Sequence, residues 1–452
     1  MNRLLYNFRK IFKYPLTYII LISIIIQNIF YSFFPAFLKG SDTNSYTTLF
    51  RGNILKGILD EGRTPIYPYF FKIVNYFSGS LDNTFTIMAF IQKILFLISI
   101  IFFYLTVKKL FKSKYLQFII SLIYAICPFL FMWNIFILTE CFSIFQIVLL
   151  FYLTISYIKN PNSKYPIFIN IHLFIMVMTR PASIYLYGAY LVFWILKLLT
   201  EKSKVFIKYI KYGLISLFVT IIFIFAYMYQ FKNQFGMFSI SRISDINNIV
   251  MVINSGIYTK GNNKEIIKDI DSVLKSDIEV PIWIAADHVR YNYSITEKKE
   301  YLDSCKKNGF KQYIYYLGDK VLNVGSYNIG RVDSFVYDLK VDYIVNYLCW
   351  NIFPITFSDI YYLLAISFIY LLIKLIKKKE IDWVVAALFC FIFGNFFLTI
   401  FFAPFDWQRL VVTSIPMVII LIPYLFIELY NLFYKKNTNT VKGRTKKRII
   451  RR

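Results

Sequence analysis

The sequence predicts an all-α polytopic membrane protein with about ten transmembrane helices and one large extracytoplasmic segment. Of the 452 residues, 58% are apolar and only 17% are charged, which is unlike a soluble globular domain. The charged residues lie in short blocks between apolar runs, and those runs have the length, about 17–25 residues, that crosses a bilayer as a helix.

The net charge of +26 follows membrane topology and does not indicate a nucleic-acid partner. Basic residues fill alternate short connections and both tails, as cytoplasmic segments do, whereas residues 231–350 carry 15 basic and 14 acidic residues. Both termini are therefore predicted in the cytoplasm. The parts are a membrane domain at 1–230 with an outer catalytic loop at about 38–83, an extracytoplasmic domain at 231–350, C-terminal transmembrane helices at 351–434 and a basic cytoplasmic tail at 435–452.

The first predicted span lacks the small-residue cleavage site of a signal peptide, so we expect it to be permanent. The fifth is short and stops at Arg180-Pro181, because proline disfavours helical geometry in the residue before it. The helix count is least secure there. The expected spans are Leu16–Phe34, Phe85–Val107, Tyr115–Trp133, Cys141–Ile158, Ile167–Thr179, Ser183–Leu199, Gly213–Phe231, Ile360–Leu375, Trp383–Phe402 and Leu410–Ile427.

Helices are also expected outside the spans. Tyr46–Leu59 and Ile66–Phe77 have the amphipathic character of helices that lie in the membrane interface. In the extracytoplasmic domain, helical pieces are expected at Glu265–Leu274 and Thr296–Lys307.

The five cysteines and two histidines form no zinc-binding pattern. Cys305 and Cys349 both fall in the extracytoplasmic domain and could pair in an oxidising compartment. His172 lies inside a span, where we expect a hydrogen-bonded core residue rather than a ligand.

Charged residues are predicted at one face of the membrane from separate parts of the chain. Each has a structural interpretation: an arginine can anchor a helix in the headgroups, a lysine can snorkel, and an exposed ion pair contributes about 1 kcal/mol or less. Together they fit an anionic amphiphile, with a phosphate at headgroup level and an apolar tail in the bilayer. They are Asp42 and Arg63 after the first span, Lys93 within the second, Glu140 at the fourth, Arg180 after the fifth, and Asp406 and Arg409 before the tenth.

Two motifs in the first outer loop resemble a known family. Asp42-x-x-x-Tyr46, followed by Arg-Thr-Pro-x-Tyr-Pro at Arg63–Pro68, resembles the GT-C glycosyltransferases. Within them the pattern looks most like the bacterial relatives of the protein O-mannosyltransferases and the lipid A aminoarabinose transferases. Thr139-Glu140, Thr179-Arg180-Pro181 and Arg409 look like further landmarks, and residues 231–350 stay unmatched.

The resemblance implies inverting transfer of a sugar from a polyprenyl-phosphate donor on the outer face of a bacterial plasma membrane. The acceptor would be a hydroxyl on a glycan, lipid or protein, and no nucleic acid takes part. The family's catalytic aspartate corresponds to Asp42. Thr43 follows it where many members have a second acid, which Glu140 could supply; no metal ligand is assigned, and a divalent metal stays open.

The chemistry of the residues agrees with this implication. Glycosyl transfer from a phosphate needs a base for the acceptor hydroxyl and cations for the leaving phosphate. We assign Asp42 as the base, with Glu140 as the second catalytic acid. The predicted substrate-binding residues are Arg63, Lys93, Arg180 and Arg409, whose charges suit a lipid phosphate, together with Tyr46 and Tyr67.

Three other functions stay open from the sequence alone. A transporter or flippase for lipid-linked sugars would also place cations in a membrane cavity, but such proteins are commonly built from internal repeats, and none is evident here. A polysaccharide polymerase or ligase would use a lipid-diphosphate oligosaccharide. A purely structural membrane protein is the third alternative.

Overall fold

The computed structural model describes residues 15–40, 42–47, 63–276, 280–325, 355–404 and 407–434, with Tyr343, Tyr347 and Asn351. The described residues are helical and contain no β-strand, only an isolated bridge between Leu38 and Phe136. The all-α fold class is therefore confirmed for the described part of the chain.

Ten of the nineteen α-helices of the described residues lie before the predicted extracytoplasmic domain and four lie after it. Before the domain lie α1 (Pro15–Tyr31), α2 (Thr43–Thr47), α3 (Ile66–Ser78), α4 (Leu81–Leu110), α5 (Lys114–Ala125), α6 (Pro128–Phe131), α7 (Glu140–Lys159), α8 (Lys164–Thr179), α9 (Tyr185–Thr200) and α10 (Lys204–Phe235). After it lie α16 (Phe357–Lys378), α17 (Trp383–Phe402), α18 (Trp407–Val411) and α19 (Ile415–Phe433).

Seven helices in the described residues are long and apolar enough to cross a membrane, or eight if α5 and the bent piece that follows it form one span. The seven comprise α4, α7, α9, α10, α16, α17 and α19, some with a short helix added at one end. Helices α1 and α8 coincide with the first and fifth predicted spans but have only 17 and 16 residues. The count of ten and the cytoplasmic position of both termini stay predictions.

The third predicted span is not one straight helix. Helix α5 ends at Ala125, and the chain turns by 46° into α6 and the 3-10 turn Met132–Asn134. Pro128 explains the break, because proline excludes helical geometry at Cys127, whose φ and ψ of −69° and 112° are extended. The chain then runs extended beside Leu38, whose N–H donates to the Ile135 carbonyl at 2.8 Å. This contact brings the first outer loop to the start of α7.

The predicted extracytoplasmic domain has its own apolar core. It consists of α11 (Ile243–Asn254), α12 (Lys264–Leu274), α13 (Pro281–Asn292), α14 (Ile295–Asn308) and α15 (Phe310–Val324). Ile249, Ile266, Ala285 and Tyr301 belong to a buried cluster separate from the membrane core, whereas Val324, at the end of α15, is buried in the membrane core.

Local sequence determines where the helices of this domain begin. A capping box of Ser294 and Glu297 starts α14, and the Asn263 side chain caps α12. Both predicted helical pieces of the domain are therefore confirmed. Cys305 is a buried free thiol, while Cys349 lies outside the described residues, so their pairing is untested.

Close packing of α9 against α17 depends on a glycine. A Cβ atom built on Gly394 would lie 2.4 Å from Cδ2 of Tyr185, well inside van der Waals contact. We expect Gly394→Ala to lower the free energy of unfolding by about 1–3 kcal/mol through overpacking, measured by thermal unfolding in detergent. Gly188→Ala is the matched control, because its Cβ would meet no atom within 4 Å; equal destabilisation by both variants would contradict this explanation.

Candidate active site

The position of Asp42 is fixed by backbone contacts around it. Thr43 lies at the start of α2 and is fully buried; its hydroxyl accepts from the Gly40 N–H at 2.9 Å and donates to the Ile137 carbonyl at 3.1 Å. These bonds hold the first outer loop against the chain that leads into α7. The Asp42 side chain is 26% exposed, so part of it remains accessible to solvent.

The Asp42 carboxylate bridges two arginines that are far apart in the chain. Its Oδ1 lies 2.6 Å from Nη2 of Arg63, and its Oδ2 lies 2.6 Å from Nη2 of Arg409. Both are hydrogen-bonded ion pairs, the stronger class of hydrogen bond. The structure thus brings together one residue after the first span and one before the last.

Glu140 forms the second half of the ion network. It lies in the first turn of α7 with a side chain only 1% exposed, and its Oε1 is 2.8 Å from Nε of Arg409 and 3.6 Å from Nη2 of Arg180. Neither carboxylate oxygen of Glu140 has a well-directed hydrogen-bond donor among the described residues. A buried carboxylate without such donors is costly, so its charge depends on the two guanidinium groups.

Arg63 rests on a tyrosine. Its guanidinium lies 4.6 Å from the ring centre of Tyr46, its Nη1 donates to the Tyr46 hydroxyl at 3.3 Å, and its Nε donates to Oγ of Ser45 at 2.7 Å. The ring of Tyr67 contacts that of Tyr46 edge-on at 4.9 Å, and its hydroxyl donates to Gln92 at 3.2 Å. Tyr67 is fully buried, so in this conformation it packs against Tyr46 from the protein interior.

Arg180 is positioned by hydrogen bonds to the residue before it. The Thr64 hydroxyl donates to the Thr179 carbonyl at 3.0 Å, and the Gln146 amide donates to the Thr179 hydroxyl at 2.9 Å. All three side chains are buried. Since Thr64 follows Arg63 and Thr179 precedes Arg180, these bonds fix the separation of the two arginines.

A small cavity adjoins Arg180, with an accessible volume of about 20 Å³. Its polar lining includes Ser143, Ser183, Asn395 and Thr413. Nη1 of Arg180 is buried without a hydrogen-bond partner among the described residues.

Sequence reasoning did not identify the supporting residues Ser45, Gln146 and Asn395, because polar side chains that bond to nearby backbone or hydroxyl groups carry no spacing signal.

Lys93 lies outside the ion network. Its Nζ is 4.2 Å from the ring centre of Tyr31, at the contact between α1 and α4. Within the described part of the chain Lys93 forms no ion pair with a carboxylate, and its assignment to the substrate stays a prediction. Asp406, the other acid expected here, lies outside the described residues.

The network carries an excess of positive charge. Among the described side chains it combines three guanidinium groups with two carboxylates, which leaves one net positive charge. Burial alone would raise the pKa of the Asp42 carboxyl, but the guanidinium groups of Arg409 and Arg63 outweigh burial and hold the pKa below its usual range. Asp42 is therefore ionised at neutral pH.

The two carboxylates do not fit a divalent cation. Each already has an arginine within 3 Å, and a metal ion would be repelled by the same guanidinium groups. Among the residues that the structure describes, no group of three or more histidine, cysteine, aspartate or glutamate side chains is placed to hold a metal.

Comparison with known proteins gives one family match. Residues 62–227 match the family model of the dolichyl-phosphate-mannose-protein mannosyltransferases, and this confirms the resemblance to GT-C glycosyltransferases over that part of the chain. The matched part contains Arg63, Glu140 and Arg180. No curated protein gives a significant match.

Solved structures of an oligosaccharyltransferase from Archaeoglobus fulgidus are similar at low identity. The apo form gives a TM-score of 0.42 at 13% identity over 94% of this chain and 52% of that one. The same archaeal enzyme, AglB, with an inhibitory peptide and a dolichol-phosphate gives 0.42 at 14% identity over 94% and 48%. The chain thus spans about half the length of these structures.

Proposed function

We propose that the protein is an inverting glycosyltransferase that moves a sugar from a polyprenyl-phosphate donor to an acceptor hydroxyl on the outer face of the membrane. The observation that carries this proposal is the network of three arginines and two carboxylates at the ends of apolar helices. The family match over residues 62–227 supports the same class of enzyme. The proposal also places the enzyme in a bacterial plasma membrane and the acceptor hydroxyl on a glycan, a lipid or a protein.

The charge of the network suits the donor. A polyprenyl-phosphate sugar is a phosphodiester with one negative charge, and the described network has one excess positive charge. Arginine binds phosphate through two parallel N–H donors. A bound donor would neutralise the site, with its apolar tail in the bilayer beside the helices.

Donor binding would also activate Asp42. In the free protein both Asp42 oxygens are bonded to arginines, which weakens the carboxylate as a base. A phosphate that takes over hydrogen bonds from Arg63 and Arg409 would release Asp42 and raise its basicity at the moment the donor is in place. The site would then avoid deprotonating an acceptor before a donor has bound.

The reaction follows from these roles. Asp42 accepts the proton of the acceptor hydroxyl, and the acceptor oxygen forms a bond to the anomeric carbon. The bond from that carbon to the phosphate oxygen breaks, and polyprenyl phosphate leaves with an additional negative charge. Arg63, Arg180 and Arg409 stabilise that charge as it develops. A single displacement inverts the configuration at the anomeric carbon.

The two carboxylates have different roles in this mechanism. Glu140 is 1% exposed and Asp42 is 26% exposed, so only Asp42 is open to an acceptor in this conformation. Glu140 holds Arg180 and Arg409 toward the phosphate. Tyr46 supports Arg63, Tyr67 supports Tyr46, and Lys93 would bind a lipid phosphate at the α1–α4 contact.

Donor turnover by the purified protein tests the proposal. The protein in detergent receives a panel of polyprenyl-phosphate sugars with native membrane extract as the acceptor source, and free polyprenyl phosphate is measured. We expect release with one class of donor. Movement of an intact lipid-linked sugar across a liposome membrane without release would contradict the proposal and favour a flippase.

A further inference from the structure

We propose that Lys320, in the extracytoplasmic domain, is a positioning residue for Arg409 and couples that domain to the ion network. This inference rests on the proposed function, since it assigns Arg409 to the donor phosphate. Lys320 lies on α15, more than eighty positions before Arg409 in the chain.

Lys320 reaches from the domain into the connection between α17 and α18. Its Nζ donates to the Ala403 carbonyl at 2.5 Å and lies 5.1 Å from the ring centre of Trp407. The Trp407 indole N–H donates to the same carbonyl at 3.0 Å. One carbonyl at the end of α17 thus accepts bonds from both the domain and the first residue of α18.

The short helix α18 carries Arg409. Because Trp407 begins this helix and is bonded to Ala403, the position of Ala403 determines where α18 starts. Arg409 lies two residues later, with its Nη2 2.6 Å from Asp42 and its Nε 2.8 Å from Glu140. A shift of α18 by about 1 Å would break the charge-assisted hydrogen bond to Asp42 and weaken the ion pair with Glu140, since both depend closely on distance.

Burial makes Lys320 a costly choice for a purely structural contact. Its side chain is 3% exposed, and its amine is 3.5 Å from Sδ of Met251 on α11. Burial lowers the pKa of Lys320 to about 7. An apolar side chain would pack between α11, α15 and α17 without that cost. We therefore infer that the role of the amine is its hydrogen bond to the Ala403 carbonyl.

The Lys320 contact thus connects the domain that would bind the acceptor with the arginine that would bind the donor. The domain lies outside the family match, as do the C-terminal helices that carry Ala403 and Arg409, and we assign acceptor recognition to the domain. Lys320 lies where α11 and α15 contact α17. A change in the domain on acceptor binding would therefore reach Arg409 through Ala403 and Trp407.

The test compares Lys320→Met with Lys320→Arg and the wild type. Methionine keeps the unbranched stem and removes the N–H donor, whereas arginine keeps a charged donor. We expect Lys320→Met to raise the KM for the polyprenyl-phosphate donor about tenfold, and Lys320→Arg to restore at least part of the loss. Lys311→Met is the matched control, because Lys311 is exposed on the same helix, and we expect no change in KM.

A double mutant separates positioning from general destabilisation. In an Arg409→Lys background, Lys320→Met should add little to the loss of donor binding, because the arginine that Lys320 positions is already missing. Fully multiplicative losses, or a lower yield of folded protein with unchanged KM, would overturn the inference. Absence of turnover in the wild type would instead contradict the proposed function.

Discussion

Asp42→Asn is expected to abolish sugar transfer while the donor still binds. The amide has nearly the same shape as the carboxylate but cannot accept a proton from the acceptor hydroxyl. Positioned acid–base groups typically contribute about 10²–10⁴-fold to a rate, and we expect a loss in that range. The neutral amide also leaves Arg63 and Arg409 freer for phosphate, so donor affinity should stay equal or increase. Release of polyprenyl phosphate and binding of labelled donor measure the two effects.

Asp82→Asn is the control for this variant. Asp82 is an exposed carboxylate in the first turn of α4, and its loss should leave turnover unchanged. Wild-type turnover by Asp42→Asn would remove Asp42 from the mechanism and transfer the base to Glu140. Loss of donor binding together with turnover would show that Asp42 only organises the arginines.

Arg409→Lys is expected to cause the second large loss. Arg409 contacts Asp42 through Nη2 and Glu140 through Nε, at 2.6 and 2.8 Å. A lysine ammonium is a single point charge and cannot reproduce this planar fork. We expect kcat/KM for the donor to fall about 10²-fold, since one carboxylate loses its partner and the phosphate loses a bidentate donor. Steady-state kinetics with the polyprenyl-phosphate donor measures the change.

Arg180→Lys provides the comparison within the same network. Arg180 lies 3.6 Å from Glu140, a weaker contact, and it does not bridge the two carboxylates. We expect a smaller loss than for Arg409→Lys. The reverse order would mean that the phosphate binds at the cavity beside Arg180 rather than between Arg63 and Arg409.

The helices were largely predictable because their signals are local. Apolar runs located the membrane helices, and the pieces at Glu265–Leu274 and Thr296–Lys307 were recognised from their helix-like local pattern. The bend after Ala125 was missed, although Pro128 was visible in the sequence, because hydropathy alone does not distinguish a straight span from a broken one. The number of membrane crossings depends on the bilayer and on whether the short helices α1 and α8 span it.

The members of the ion network were predictable from topology, but their pairing was not. Charged residues at helix ends identified Asp42, Arg63, Glu140, Arg180 and Arg409 as outer-face groups. Their sequence separations reach 367 positions between Asp42 and Arg409, and no local pattern determines which carboxylate faces which arginine.

Supporting contacts were beyond sequence reasoning for a related reason. Thr64, Gln146 and Lys320 act through backbone carbonyls and hydroxyls of distant segments. Such bonds leave no trace in residue spacing, since every residue offers a carbonyl.

The separation of the two apolar cores has an evolutionary consequence. Most buried residues of the predicted extracytoplasmic domain, on α11–α14, form one cluster and those of the membrane helices another, which Val324 of α15 joins. A substitution inside one core need not be compensated in the other, so the two can diverge at different rates. Selection for a new acceptor could then remodel α11–α14 while the donor machinery is inherited unchanged, provided that the contact between Lys320 of α15 and the Ala403 carbonyl is kept.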